Sequence, residues 1–343
     1  MRWKLFFLLL TILVIGALTF LFITGSEDFD KQNLYQKEYT FLSQVDTLSA
    51  TLYMPQKGLT KQTPIVILIH GDGPQNRTSN SGYLPFIHYL VEQDIAVFTW
   101  DKKGVDFSTG NWLEQSIEDR AIEAKDAYNF LLKEVSLSQN NIGYLGFSQA
   151  GWVIPKAARL TNPSFSIIIG AAVNWLDQGA YYTSIRLEKE GIPKIKIPAI
   201  VDSIQSSDIA LFTSITDDNI KRSGLDKDRF LFIARNLYSD ASLDLSQMQG
   251  PLLALWGEED LNVPANQNAK LYRKLTHNRA YSSAIKVYPV STHGLLKAPY
   301  FNYQLESQWP TWVKALFITM GRKAYTEDAL IDIVAFINEN TIP

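Results

Sequence analysis

One serine, one histidine and one acid carry the chemistry within reach of this chain. Ser148 stands in Gly146-Phe-Ser-Gln-Ala-Gly151, a G-x-S-x-G pattern in which Ala150 takes the place of the final glycine. A serine presented on a sharp strand-to-helix turn is a nucleophile for acyl transfer, and the strained turn crowds the residues two before and two after it. Those two must be small: Gly146 is, and Ala150 adds one methyl. The pattern alone is weak evidence, since a chain of this size matches it by chance roughly one time in four. Its surroundings strengthen it, because the apolar run Ile142 to Leu145 ends just before it and an apolar-periodic stretch starts just after.

Such a serine needs a base, and the base needs a carboxylate to orient it. In one known chain order the serine comes first, then the acid, then the histidine. Of the 4 histidines only His277 and His293 follow Ser148. His277 lies in a polar stretch that reads as a helix end and a surface position. His293 lies in Pro289-Val-Ser-Thr-His-Gly294, a loop after an apolar run, and is the expected base. Asp260 is the expected acid, because it follows the run Leu252 to Trp256 and precedes Val263-Pro264, a helix start. Glu258 and Glu259 remain alternatives. The oxyanion of a tetrahedral intermediate needs two donors. The backbone N–H groups of Gln149 and of Asp72, in His70-Gly-Asp-Gly-Pro74, are expected to supply them. The Asp72 carboxylate should then point away from the oxyanion, and His70 reads as structural.

The elements that must position these groups follow from apolar patterning. Tyr39 to Tyr53 alternates polar and apolar residues, as a pair of antiparallel edge strands does. Continuous apolar runs at Ile65–Ile69, Ile95–Trp100, Ile142–Leu145, Ser166–Ile169, Leu252–Trp256 and Ile285–Tyr288 read as strands buried on both faces of a mostly parallel sheet. Helical patterns at Tyr83–Glu92, Ser116–Glu134 and Gln149–Leu160 alternate with them, which implies right-handed crossovers. The alternation breaks over about residues 174–249, where Ala180–Lys189, Asp208–Ile215 and Lys227–Tyr238 read as helices. That insertion is expected to form a lid over the edge where ligands bind in such sheets. Thr326–Asn338 reads as a last helix on the sheet.

Five separated motifs then resemble something known: His70-Gly-Asp-Gly-Pro74 with Asn76-Arg77, Asp101-Lys-Lys-Gly104 with Ser108-Thr-Gly110, Gly146–Gly151, Gly257-Glu-Glu-Asp260 and Thr292-His-Gly294. Together they resemble bacterial esterase-type α/β-hydrolases, the branch near dienelactone hydrolases and serine peptidases of similar fold, over about residues 40–340. The resemblance implies an α/β-hydrolase fold and hydrolysis of small ester or acyl substrates through an acyl-enzyme, with neither metal nor organic cofactor. Relatives have glycine where Asp106 and Ala150 stand. Three other readings stay open, the first an acyltransferase on the same scaffold that passes the acyl group to another acceptor. An aminopeptidase-like hydrolase would need lid acids such as Asp202, Asp217 or Asp218 to hold a free amine. A tethered binding protein would have kept the fold and lost catalysis.

Composition narrows the rest. The chain of 343 residues has a net charge of -3 and 46% hydrophobic residues, with no basic footprint for nucleic acid. It has 0 cysteines, which excludes a thiol nucleophile, disulfides and a Cys-ligated zinc. From Leu5 to Thr24 no residue is charged, Arg2 and Lys4 precede the run, and Glu27, Asp28 and Asp30 follow it. About 20 apolar residues span a bilayer, and the positive flank stays in the cytoplasm. Residues 1–25 are therefore expected to be an uncleaved anchor, with 26–38 a linker and 39–343 an extracytoplasmic catalytic domain. A cleaved signal and a buried core helix are the alternatives, although Phe22-Ile-Thr-Gly25 makes a poor cleavage site.

Overall fold

A computed structural model describes residues 2–134 and 141–341. Among them an eight-stranded sheet has the order β1-β2-β4-β3-β5-β6-β7-β8. The strands are β1 Tyr35–Ser43, β2 Asp46–Met54, β3 Ile65–Ile69, β4 Ala96–Trp100, β5 Ile142–Phe147, β6 Ser166–Ile169, β7 Leu252–Gly257 and β8 Ser283–Tyr288. β1 and β2 pair antiparallel at one edge, and β2 joins β4 antiparallel. All remaining pairs are parallel. Every residue of β3, β4 and β6 is buried, which is why these strands read as unbroken apolar runs.

Helices cover both faces. On one lie α2 Leu84–Glu92 and the late helices, against which the C-terminal end of α1 Arg2–Glu27 packs, and on the other α3 Ile117–Glu134, α4 Ala150–Leu160 and, past the lid, a helix at Ala265–Thr276. Between β6 and β7 the chain forms α5 Trp175–Lys189, α6 Ile197–Thr213, α7 Asp217–Ser223, α8 Lys227–Asn236 and α9 Ser242–Gln247. The helix just named at Ala265–Thr276 is α10. After β8 come α11 Ala298–Phe301, α12 Thr311–Met320 and α13 Glu327–Glu339. α6 starts eleven residues before the apolar periodicity at Asp208, at Ile197-Pro198, where a proline in the first turn needs no N–H partner. The lid buries two small apolar clusters of its own, around Leu187, Ile197 and Val201 and around Phe212, Phe230 and Leu237.

The N-terminus differs from its expected form. The stretch 26–38 is not a free linker. α1 runs through Glu27, Asp28 is buried, and Leu34 joins the main core just before β1. Arg322 clasps Asp28 and Glu92 together, with its Nε 2.8 Å from Asp28 Oδ1. The acids that follow the uncharged run are thus not all at the surface: a distant arginine has drawn Asp28 inside. Among the described residues no helix is long and apolar enough to cross a membrane. Met1 of the expected anchor and the last two residues of the expected domain lie outside the described residues.

Candidate active site

Ser148 rides the turn between β5 and α4 in a left-handed conformation, φ 55°. Its N–H donates to the Ile169 carbonyl at the end of β6, 2.8 Å away. The crowding that the motif implies is present: a Cβ on Gly146 would stand 2.5 Å from the Ala150 Cβ and 2.8 Å from the Ile69 carbonyl. The Ala150 methyl itself is fully buried.

Asp260 and His293 meet from two loops of the same sheet edge. His293 Nδ1 lies 2.7 Å from Asp260 Oδ2, and the Asp260 side chain is 0% exposed. Asp260 Oδ1 accepts the N–H groups of Asn262 (2.7 Å) and Val263 (2.9 Å), so the buried carboxylate is fully hydrogen-bonded. With Nδ1–H donating to Asp260, His293 Nε2 is the free acceptor that a general base needs. Burial of the imidazole disfavours its charge, but the charge and hydrogen bond of Asp260 outweigh this and hold His293 above its usual value. Glu258 and Glu259 face solvent, as does His277.

Gly170 brings the histidine toward the serine. It follows Ile169 at the end of β6 with φ 62°, and a Cβ there would approach His293 Nδ1 to 3.0 Å. The imidazole therefore lies against bare backbone, beside the carbonyl that holds the Ser148 N–H. The Ser148 hydroxyl makes no hydrogen bond among the described residues; catalytic contacts of this kind tighten when substrate binds.

On the other side of the serine, a Cβ on Gly71 would lie 3.6 Å from the Ser148 Cβ. Two buried cations grip this loop by its carbonyls. Lys102 Nζ donates to Gly71 (2.6 Å) and Gly73 (2.9 Å). Arg120 donates to the His70 carbonyl (2.6 Å) and to the side chain of Gln149. His70 is fully buried, its Nε2–H donates to the Trp100 carbonyl at 2.6 Å, and burial pushes its pKa down to about 3. It stays neutral and structural. Neither the Asp72 N–H nor the Gln149 N–H meets an acceptor among the described residues, which suits an oxyanion site.

The Asp72 carboxylate engages the lid. Arg229 of α8 donates to both of its oxygens, at 2.9 and 3.3 Å, and Gln149 Nε2 lies 3.3 Å away. Burial raises the Asp72 carboxyl, but the bond and charge of Arg229, followed by Lys102, bring it below the usual range. A pocket of about 120 Å³ at Ser148, lined also by Gln149, Trp152 and Val263, shares Asp72, Trp175 and Gln178 with a cavity of about 470 Å³ inside the lid. The lid cavity is walled by Val201, Ile204, Phe212 and Ile233, and Asp208 and Arg229 are its charged lid residues. Asp202, Asp217 and Asp218 are exposed and do not line it. A larger hollow of about 970 Å³ at Asp28, His88 and Arg322 shares no residue with the serine pocket.

Sequence reasoning missed Lys102, Arg120 and Arg229 as residues that hold the loop beside Ser148. Lys102 stood inside the Asp101–Gly104 motif, at the end of an all-apolar strand. Arg120 and Glu123 were the two charges on the buried stripe Ile117, Ala121, Ala124 and Ala127 of α3. Arg229 carried no signal, since only the folded lid brings it to Asp72. Asp106 explains its own departure from glycine: it holds φ 44°, a conformation that Asp tolerates, and receives Asn76 at 3.0 Å.

Comparison with known proteins agrees with this architecture. The family profile described as BAAT / Acyl-CoA thioester hydrolase C terminal matches residues 124–318. No protein of curated function matches by sequence. A proline iminopeptidase from Mycobacterium smegmatis superposes with TM-score 0.55 at 14% identity, over 89% of this chain and 98% of that one. An esterase from Pyrococcus furiosus gives 0.53 at 13% identity, over 86% and 93%. A puromycin-hydrolysing peptidase from Mycobacterium tuberculosis gives 0.53 at 14%, over 89% and 39%. These likenesses show the α/β-hydrolase fold.

Proposed function

We propose that this chain, which belongs to the BAAT / acyl-CoA thioester hydrolase C-terminal family, is a serine hydrolase that cleaves ester-type acyl bonds through an acyl-enzyme on Ser148. The observation that carries this reading is the buried Asp260–His293 pair, 2.7 Å apart, set across Gly170 from a serine in a strained elbow. His293 takes the Ser148 proton as the hydroxyl adds to the acyl carbonyl. The Asp72 and Gln149 N–H groups receive the oxyanion. The imidazolium, stabilised by Asp260, protonates the leaving group, and the neutral imidazole then activates water to release the acid. A wild-type chain that binds a fluorophosphonate probe covalently, and a Ser148→Ala chain that does not, would support the reading; an unlabelled wild type would sink it.

The substrate is proposed as an acyl ester or thioester with an apolar acyl group, because the pocket at Ser148 opens into the largely apolar lid cavity. The peptidase reading draws no support from Asp202, Asp217 or Asp218, which lie outside that cavity; Asp208 is the lid acid available to it. Rates on p-nitrophenyl acetate and butyrate against amino-acid p-nitroanilides separate the two.

We also propose that residues 1–25 anchor the chain in a membrane, with the catalytic domain outside the cytoplasm. Support comes from the uncharged run Leu5–Thr24 and its flanking charges. Since the chain has 0 cysteines, Lys314→Cys supplies a single thiol. Labelling of that thiol by an impermeant maleimide on intact cells is expected; labelling only after lysis would overturn the orientation.

A further inference from the structure

We propose that Arg229 is a positioning residue that makes the oxyanion site competent only while the lid is closed, by neutralising the Asp72 carboxylate beside it. The inference rests on the reading of Ser148 and Asp72 just given. An oxyanion forming next to the Asp72 N–H stands close to that residue's own negative charge. The structure meets this repulsion from the lid: both guanidinium nitrogens of Arg229 reach the carboxylate. Among the described residues no other side chain of α8 bonds to the loop His70–Gly73.

The two ends of α8 are held differently. At its C-terminal end Asn236 is buried, accepts the Ile117 N–H at 2.9 Å and donates to the Gln115 carbonyl at 3.1 Å. At its N-terminal end the ties are more exposed: Asp228 to Asn111 at 3.1 Å, and Arg229 stacked 5.7 Å from the Trp112 ring centroid and 5.1 Å from that of Phe232. Phe230 beside Arg229 is buried in the lid's own cluster with Phe212, so lifting here means that Arg229 and Phe230 move with that cluster and part from Asp72 while Asn236 stays in place. Lifting leaves Asp72 facing Lys102, whose ammonium is already committed to the Gly71 and Gly73 carbonyls. An uncompensated charge roughly 5 Å from an oxyanion, at an effective dielectric of about 20, slows the reaction by up to about 300-fold. The side chains are 29% and 43% exposed, so solvent screening reduces this to about ten- to hundredfold.

The test measures kcat and KM on p-nitrophenyl butyrate with the full chain, for wild type, R229Q, R229K, D72N and D72N/R229Q. R229Q should lose about ten- to hundredfold in kcat with KM little changed. R229K, which keeps the charge, should regain most of that loss. D72N/R229Q should exceed R229Q by about tenfold, because removing the carboxylate removes the need for its counter-ion. The proposal is overturned if D72N is as poor as R229Q and the double variant no better, which is the behaviour of a simple fastener. It is equally overturned if R229K is as poor as R229Q, or if R229Q changes only KM. A wild type that fluorophosphonate does not label, or a Ser148→Ala chain that stays active, defeats the underlying assignment instead.

Discussion

The loop His70–Gly73 is gripped from below and from above, and the two grips differ in kind. From the core, Lys102 and Arg120 are buried and bond to backbone carbonyls. From the lid, the half-exposed Arg229 bonds to a side-chain carboxylate. Releasing the core grip would strand buried polar groups, at about 1–3 kcal/mol each. Exposed ion pairs are held by about 1 kcal/mol or less. The floor of the site is thus built once during folding, whereas the Arg229 tie to its roof can be made and unmade at thermal energies.

The contrast is sharpened first at Ser148, the proposed nucleophile, for which the floor offers no substitute. Ser148→Ala should lower kcat by about 10⁴–10⁶-fold with an unchanged melting temperature; steady-state ester hydrolysis reads this, and a loss under tenfold would remove Ser148 from the chemistry. Asp260→Asn should cost about 10⁴-fold, because it spoils the tautomer of His293. The pH profile adds a signed check. Protonated His293 cannot accept the serine proton, so activity falls as pH drops, and the raised pKa places that fall above the ordinary imidazole value of about 6.5. In Asp260→Asn the residual acid limb should move to lower pH, since the group that raises His293 is gone.

Lys102→Met tests the core grip itself. The ammonium lies well below the usual lysine range, through burial and then the like charge of Arg120. Losing it should lower kcat by about 10²-fold and stability by about 2–4 kcal/mol, as the Gly71 and Gly73 carbonyls lose their donor; urea melts and kinetics together measure both. A Lys102→Met chain with wild-type stability would erase the distinction between the two grips. The smallest effect belongs to the outer lid. Asp217→Asn on its exposed surface should change stability by less than about 0.5 kcal/mol and ester turnover by less than about twofold, and a larger loss of turnover would bring the lid surface into the site.

The same division governs what could be read from the chain beforehand. β3, β4, β5 and β7 were legible because burial on both faces demands unbroken apolar runs, and the Ser148 elbow because strain restricts Gly146 and Ala150 to small residues. Asp260 and His293 were legible from their places after apolar runs. The cations were not, because their partners are backbone carbonyls or a carboxylate far away in sequence: 29 to 31 residues from Lys102 to the glycine loop and 157 from Arg229 to Asp72. Nothing local marks an arginine for a long-range partner. The same holds for Arg322, 294 residues from Asp28, and it is why 26–38 read as a linker.

That last joint has a mechanical meaning. α1 spans about 39 Å at 1.5 Å per residue. At its base Gly25 packs directly on the Thr319 backbone, with the Asp28–Arg322–Glu92 clasp beside it. A slack tether would let the domain tumble, so that its catalytic edge swept through many heights and tilts above whatever surface seats the helix. A keyed base makes helix and domain move together. On the proposed anchoring of residues 1–25, the mouth of the site would then be offered at one elevation, and a substrate's distance from the surface would become part of its selection.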